Sequence, residues 1–513
     1  MAEVLFGQSY YLRFDPKLWQ AMQPYPPLGT LYAASYLRQR GYAVALFDAM
    51  LAKSEAAWAE ALERHRPRYA VLFEDNFNYL SKMCLLRMRQ AALAMCQMAK
   101  ARQCIVIVCG SDATDHASVY FAHGADFVLL GEGEITLGEL LDHLTGRGLA
   151  APEQIPGLAW RNGHGAEQQT PPRPVFKELD LLPFPAWDLI DVKHYEQVWR
   201  QRHGYFSMNM VTTRGCPYHC NWCAKPIWGQ RYNVRSPENV VAEMKWLKEM
   251  FHPDHLWFAD DIMGLQPNWL QHFADLIAAA GARLPFKCLS RADLLLREGE
   301  IMALQKAGCQ TVWIGAESGA QKILDAMEKG TRVEQIYAVT QQLRRAGIRV
   351  GFFLQFGYPG ETREDIALTF KMVHDCRPDD IGVSVSYPLP GTKFFERIKN
   401  QLGAKQNWLD SNDLAMLYQG PYTTAFYRQL HKILHKEFRT RKYREELRRA
   451  FQSRRAFPMP HWRRTAALAY NTLTLPFARM RLHQLARQSH ASFGTLAPEL
   501  QPEAAATPSP QPE

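Results

Sequence analysis

The sequence predicts an α/β protein built from two parallel-sheet units in series, followed by a helical extension. Short apolar runs alternate with helical patterns over the first part of the chain, the signature of a parallel sheet. The same alternation resumes near Ser207 after a proline-rich stretch, and after Leu402 it gives way to a basic helical pattern. A chain of 513 residues is too long for one small core, so several domains are expected.

The first unit, residues 1–148, carries candidate strands at Val4–Phe6, Ala43–Phe47, Tyr69–Phe73, Cys104–Cys109 and Phe127–Leu130. Helical stretches lie near Leu28–Arg40, Glu55–Arg64, Ser81–Ala101 and Ala117–Phe121, with another after Ile135. Five such units make a doubly wound, Rossmann-like domain whose ligand site lies at the carboxyl ends of the strands. Residues 149–203 contain Pro152, Pro156, Pro171, Pro172, Pro174, Pro183 and Pro185 and read as an ordered but irregular connector.

Residues 204–402 carry strands at Ser207–Thr213, His255–Phe258, Phe286–Leu289, Thr311–Ile314, Val350–Gln355 and Gly382–Ser386. Six βα units are fewer than the eight of a closed barrel, which predicts a partial (β/α)6 barrel. Residues 403–495 form a basic helical extension, from Arg428 through Arg449. It ends in an apolar run, Ala466–Ala478, flanked by Arg463, Arg464, Arg479 and Arg481. The run can lie on an anionic membrane surface as a peripheral contact; packing on the barrel with a solvated basic face is the plainer reading. Residues 496–513 are Pro/Ala/Gln-rich and are expected to be disordered.

Hydrophobic content of 47% and charged content of 22% are ordinary for a soluble protein. The formal charge of +9 suits an anionic cofactor or a membrane surface and does not call for nucleic acid as a partner. Met1 to Tyr10 show no basic region followed by an apolar one, and no stretch reaches the ~18 apolar residues of a spanning helix. A cytoplasmic protein with reduced thiols is expected. Seven of the ten cysteines, Cys84, Cys96, Cys104, Cys109, Cys288, Cys309 and Cys376, are scattered and read as small buried hydrophobes.

The other three fall within eight residues, in Thr212-Thr213-Arg214-Gly215-Cys216-Pro217-Tyr218-His219-Cys220-Asn221-Trp222-Cys223. This segment directly follows the first strand of the second unit, where the catalytic loops of such barrels lie. Three soft thiolates select zinc, copper(I) or an iron–sulfur cluster. Structural zinc wants four ligands; His219 adjoins Cys220, and no second ligand pair follows. A four-iron cubane held by Cys216, Cys220 and Cys223 leaves one iron open to a substrate.

The Cys-x3-Cys-x2-Cys loop, with Trp222 before its last cysteine, resembles the radical S-adenosylmethionine (SAM) superfamily. Three later strand ends are similar to that family as well: Phe258-Ala259-Asp260-Asp261, Ser290-Arg291-Ala292-Asp293 and Trp313-Ile314-Gly315-Ala316-Glu317-Ser318-Gly319. Phe353-Leu354-Gln355-Phe356-Gly357-Tyr358-Pro359-Gly360-Glu361-Thr362 resembles its fifth-strand turn. The resemblance implies a [4Fe-4S] cluster on the three cysteines whose open iron is chelated by SAM. One-electron reduction, by a donor such as flavodoxin or ferredoxin, then yields a 5′-deoxyadenosyl radical. It further implies that Ser290 and Arg291 serve the methionine carboxylate, Asp260 its amino group, and Glu317 the ribose or amine. Trp222 and Ser318, in the same motifs, join the cofactor-binding set.

An α/β domain ahead of such a barrel resembles the cobalamin-binding branch of the superfamily. The residues are Pro26-Pro27-Leu28-Gly29, Gly110-Ser111-Asp112-Ala113-Thr114, and Gly124 through Glu134. By that resemblance Pro27, Gly29, Gly110, Ser111 and Glu132 lie against cobalamin, the small residues leaving room for a corrin. The Asp-x-His-x-x-Gly motif that ligates cobalt from below is absent, and His116 lacks its glycine. Glu74-Asp75-Asn76-Phe77-Asn78 closes the third strand with dense polarity that faces the corrin, the substrate or solvent.

With both cofactors the implied reaction is methylation of an unactivated carbon of a small-molecule or lipid-like substrate. The layout also resembles the anaerobic magnesium-protoporphyrin monomethyl ester cyclases, which close a ring oxidatively. A cobalamin or iron–sulfur sensor without turnover is the non-enzymatic alternative. Asp260, Arg291 and Glu317 argue against it, because a sensor needs no SAM pocket.

Overall fold

The computed structural model of the protein describes residues 2–223, 226–452 and 460–487. Its first sheet contains β1 (Val4–Gly7), β2 (Val44–Leu46), β3 (Tyr69–Phe73), β4 (Ile105–Cys109), β5 (Phe127–Leu129), β6 (Leu158–Arg161) and β7 (Glu167–Gln169). The spatial order is β2-β1-β3-β4-β5-β6-β7, with β1 to β5 parallel. β3 is buried along its whole length and β4 nearly so, which is why Tyr-Ala-Val-Leu-Phe and Ile-Val-Ile-Val-Cys read as unbroken apolar runs. Strand order reverses between β1 and β3, so the crevice at their carboxyl ends is the topological switch point where such sheets take ligands.

Two features differ from expectation. β6 and β7 lie in the segment expected to be irregular and continue the first sheet with antiparallel pairing. Glu167-Gln168-Gln169 is exposed throughout, so an edge strand with no apolar face leaves no periodic signal. The helical stretch expected at Ser81–Ala101 is two helices, Tyr79–Met83 and Leu86–Lys100, broken at Cys84, whose φ is +47°.

The second sheet starts at β8 (Ser207–Met210). A short antiparallel pair, β9 (Thr213–Arg214) and β10 (Asn233–Val234), then stands at its carboxyl end. It continues with β11 (His255–Phe258), β12 (Phe286–Ser290), β13 (Cys309–Glu317), β14 (Arg349–Phe356) and β15 (Asp380–Val385). The six long strands are all parallel and run β15-β14-β13-β12-β11-β8, in sequence order, as a partial barrel. Trp313 and Phe353 stack 4.8 Å apart on adjacent strands. Gly351 and Gly382 make room for the two rings, since a Cβ on Gly351 would strike the Trp313 indole.

After the barrel, the helices Thr424–Gln452 and Pro460–Leu485 pack against each other, with Lys436 Nζ donating to Thr474 Oγ1 at 2.7 Å and Gln429 Nε2 to the Ala478 carbonyl at 2.9 Å. The first of them is anchored in the main core by Phe426, Tyr427, Leu430 and Leu434. No helix among the described residues is long and apolar enough to cross a membrane. The tail expected to be disordered, 496–513, lies outside the described residues.

Candidate functional site

The cysteine loop leaves β9 at Gly215, whose φ of +79° and closeness to the Arg231 carbonyl admit no side chain. Cys216 and Cys220 are buried and Cys223 is half-buried. Among the described residues no three His, Cys, Asp or Glu side chains converge at metal-binding distances. The donor set still fits an iron–sulfur cluster: three thiols on one loop at the mouth of the barrel, beside cationic groups that offset a cluster's negative charge. Arg291 Nη1 lies 3.9 Å from Cys220 Sγ, and its guanidinium covers the Tyr218 ring at 3.6 Å. Lys329 stands on the same side, its ammonium pKa raised by Glu317 and by Cys220. Trp222 Nε1 is buried with no hydrogen-bond partner among the described residues.

The loop is pinned by Asn221, a residue the sequence did not single out. Its backbone N–H donates to the Met327 carbonyl at 3.0 Å, and its carbonyl accepts from Phe394 N at 2.8 Å. Its amide donates to the Ala326 carbonyl at 2.8 Å and accepts from Tyr358 OH at 2.9 Å. Tyr358 belongs to the Gly-Tyr-Pro-Gly turn, so that turn holds the cysteine loop from the far side of the barrel mouth.

The strand-end residues divide by what they touch. Asp260, expected to meet an amino group, is 1% exposed and already accepts from both Thr212 and Thr213. The backbone bonds are 2.7 and 2.8 Å and the hydroxyl bonds 2.9 and 3.1 Å. Three of these bonds fall on Oδ1 and one on Oδ2, so the carboxylate braces the chain entering the cysteine loop. Burial raises its carboxyl to about 6, against those four bonds. Ser318 is fully buried, accepts from Ala320 N at 3.1 Å and lies 3.2 Å from Thr369 Oγ1, which makes it a staple of the turn. Ser290 Oγ donates to the Met263 carbonyl at 3.0 Å.

Arg291 and Glu317 stay at the mouth. Arg291 is oriented by Asp293, at 3.0 and 3.2 Å, and by the Lys329 carbonyl at 2.9 Å. Glu317 accepts from Lys329 Nζ at 2.8 Å and holds a φ of +54°, uncommon for a residue with a side chain. It follows a register shift between β13 and β14, and such irregularities re-aim side chains at sites.

The first sheet presents its carboxyl edge to this mouth. Pro26, next to Pro27, accepts through its carbonyl from Asn209 Nδ2 on β8 at 3.0 Å. Lys82 Nζ donates to Asp261 at 2.5 Å, bridging the two sheets. Gly29 donates its N–H to Asp75 at 3.0 Å, and a Cβ there would crowd Asp75 and Asn76. Gly110 packs on the Glu74 stem, and Ser111 Oγ donates to the Lys82 carbonyl at 2.8 Å. Burial raises Glu74 to about 7 and Asp75 to about 6. Around this edge Asn76 Oδ1 and Ser81 Oγ are buried without partners among the described residues. Such groups cost free energy unless a ligand or water meets them. Tyr79 has 48% of its surface accessible while burial and its neighbours Cys223, Glu317, Tyr387 and Asp261 push its hydroxyl pKa up.

Glu132 is committed elsewhere than expected. It accepts from Phe176 N at 2.5 Å and from Arg214 Nη1 at 3.2 Å, and Glu134 accepts from Arg214 Nη2 at 2.7 Å. Arg214 immediately precedes Gly215-Cys216 and packs on Trp228, 4.9 Å from the ring centre. One buried arginine thus ties the cysteine loop to the first domain. His116 sits 3.9 Å from Asp112 at the edge of the cleft.

A partial barrel of parallel strands, with a three-cysteine loop after its first strand, defines a radical SAM domain. Residues 210–373 match the family model of the Radical SAM superfamily, and the chain carries that domain. It is similar to an uncharacterized methyltransferase, PH0819, of Pyrococcus horikoshii: 29% identical over 317 residues, 61% of this chain and 66% of that protein. It is also similar to hopanoid C-3 methylase of Methylococcus capsulatus, 27% identical over 419 residues, 79% of this chain and 75% of that one. Among solved structures, the radical SAM methyltransferase TsrM of Kitasatospora setae, with cobalamin and a [4Fe-4S] cluster bound, superposes with a TM-score of 0.64 at 19% identity. That match covers 78% of this chain and 75% of TsrM, and it shows a shared fold.

Proposed function

We propose that the protein is a radical SAM enzyme that uses a [4Fe-4S] cluster, S-adenosylmethionine and cobalamin to methylate an unactivated carbon of a small, lipid-like substrate. The observation that carries this reading is the apposition of two ligand edges: the cysteine loop at the barrel mouth and the switch-point edge of the first sheet. When bound, these groups supply a 5′-deoxyadenosyl radical that removes a hydrogen atom and a methyl group that replaces it.

The chain's own part is to hold and to exclude. Cys216, Cys220 and Cys223 are the cluster ligands. Arg291 places a cation beside Cys220 where a methionine carboxylate needs one, and Glu317 with Lys329 offers an acceptor and a donor for the polar end of the same ligand. Asn76 and Ser81 offer unpaired polar atoms to the amide-rich rim of a corrin. The Lys82–Asp261 pair joins the two edges, which helps to keep water from a reactive intermediate. The hopanoid methylase and the methyltransferase named above support methyl transfer as the reaction. A flavodoxin or ferredoxin is the electron donor in this reading, and peripheral contact with a membrane is the source of the substrate.

The test is retention of hydroxocobalamin through gel filtration by anaerobically reconstituted protein. Stoichiometric retention is expected, with little for Ser111→Trp, whose indole fills the cleft beside Lys82, Thr114 and Leu389. Retention by neither protein overturns the cobalamin reading. Incubating the loaded enzyme with trideuteromethyl SAM and a total lipid extract should label a lipid. Consumption of SAM without label in any lipid counts against methyl transfer to this class.

A further inference from the structure

The helix Pro460–Leu485 is apolar on two sides, and among the described residues only one of them is covered. Its inner side meets the helix Thr424–Gln452 through Asn471, Thr474 and Ala478, with Leu482 and Leu485 reaching the core. Its outer side carries Tyr470, Leu473, Phe477 and Met480, 61%, 71%, 69% and 57% exposed. These fall at i, i+3, i+7 and i+10, one stripe of a helix, and exposed Ala466 and Ala469 extend it toward the N-terminus. They are four of the eleven large hydrophobic side chains most exposed among the described residues, and no other helix shows such a run. A contiguous apolar patch rimmed by polar groups marks an interaction surface.

Charge identifies the occupant. The helix contains four arginines and no acidic residue. With its neighbour it carries thirteen Lys and Arg against three Glu, while the whole chain has 60 against 51, so this hairpin holds all of the chain's positive excess. Arg479 pairs with Glu437 of the neighbouring helix at 2.7 Å, whereas Arg481 is exposed beside the stripe, where its stem can lie along apolar surface with the charged head in a polar layer. Tyr470, under the Lys436 ammonium at 4.9 Å, is a side chain suited to an apolar–polar boundary. A second copy of this face would bring arginine against arginine, whereas an anionic bilayer meets both the stripe and the cations.

We infer that the outer face of Pro460–Leu485 docks on an anionic lipid bilayer, with the helix lying in the plane of the headgroups. The inference deepens the proposed function by giving its lipid-like substrate a source, and it rests on that reading only for the substrate.

The test is flotation of the full-length reconstituted protein with vesicles of phosphatidylcholine, with and without phosphatidylglycerol. The wild type is expected to float with phosphatidylglycerol vesicles. The double variant Leu473→Glu/Phe477→Glu should lose recovery at least tenfold, and Arg481→Glu severalfold. Equal recovery of wild type and double variant overturns the surface, as does a wild-type dimer that the double variant dissolves without any vesicle binding. Formation of 5′-deoxyadenosine in vesicle-free solution is read in parallel and should be unchanged by these variants. A wild type that cleaves SAM but does not float defeats the docking surface alone; a wild type that floats but does not cleave SAM defeats the enzyme reading alone.

Discussion

Cys220→Ala is expected to reduce the iron and sulfide retained after anaerobic reconstitution by more than about tenfold, since even the loss of an outer-shell partner weakens metal binding ~10–100-fold. Cys220 is 8% exposed and lies 3.9 Å from Arg291 Nη1, so its removal takes away a ligand from the buried part of the loop. An alanine methyl cannot ligate iron, and the bonds of Asn221 to Ala326, Met327, Tyr358 and Phe394 hold the loop against shifting to offer another ligand. Cys288→Ala is the control. Cys288 is equally a buried thiol, but it lies inside β12 in the apolar core. Its loss opens a small cavity and should leave iron content at the wild-type level.

Arg214→Met is expected to have the largest effect on stability. The guanidinium is 3% exposed and faces Glu132 and Glu134, themselves 7% and 5% exposed. Removing one partner from a buried pair costs ~3–5 kcal/mol because the other charge is left uncompensated. Here two carboxylates are left facing each other, and each then favours its protonated form. Burial already holds the Glu132 carboxyl above its ordinary value with Arg214 in place; without the guanidinium it rises further, so the folded variant binds a proton that the unfolded chain does not. The deficit is therefore greatest near neutral pH and shrinks as pH falls toward the unfolded carboxylate range. Urea unfolding at two pH values measures this. Adding Glu132→Gln and Glu134→Gln should recover most of the loss, since the polar network then carries no unpaired charge. Because Arg214 leads directly into Gly215 and Cys216, iron retention should fall together with stability.

The first sheet was legible because β3 and β4 are covered on both faces, which demands unbroken apolar runs, whereas barrel strands such as β12 and β13 alternate buried and half-buried positions. The cysteine loop was legible because three ligands must come close together to share one cluster. Asp260 shows where a motif stops informing: its place at a strand end was readable, but the four hydrogen bonds that occupy it depend on how Thr212 and Thr213 turn toward it. Asn221 and Tyr358 stand 137 residues apart, and no local pattern announces their contact. Glu132 looked like a ligand contact because it sits in a glycine-rich turn, whereas its partner is an arginine of the other domain. The exposed stripe on Pro460–Leu485 was half-visible, since an apolar run alone does not say which side is covered.

The central claim is that the three cysteines hold a cluster whose open iron cleaves S-adenosylmethionine. The most direct measurement is 5′-deoxyadenosine formed by anaerobically reconstituted, dithionite-reduced protein given SAM. The account predicts 5′-deoxyadenosine from the wild type and only background from Cys220→Ala. No 5′-deoxyadenosine from iron-loaded wild type, or equal amounts from the two proteins, would contradict it.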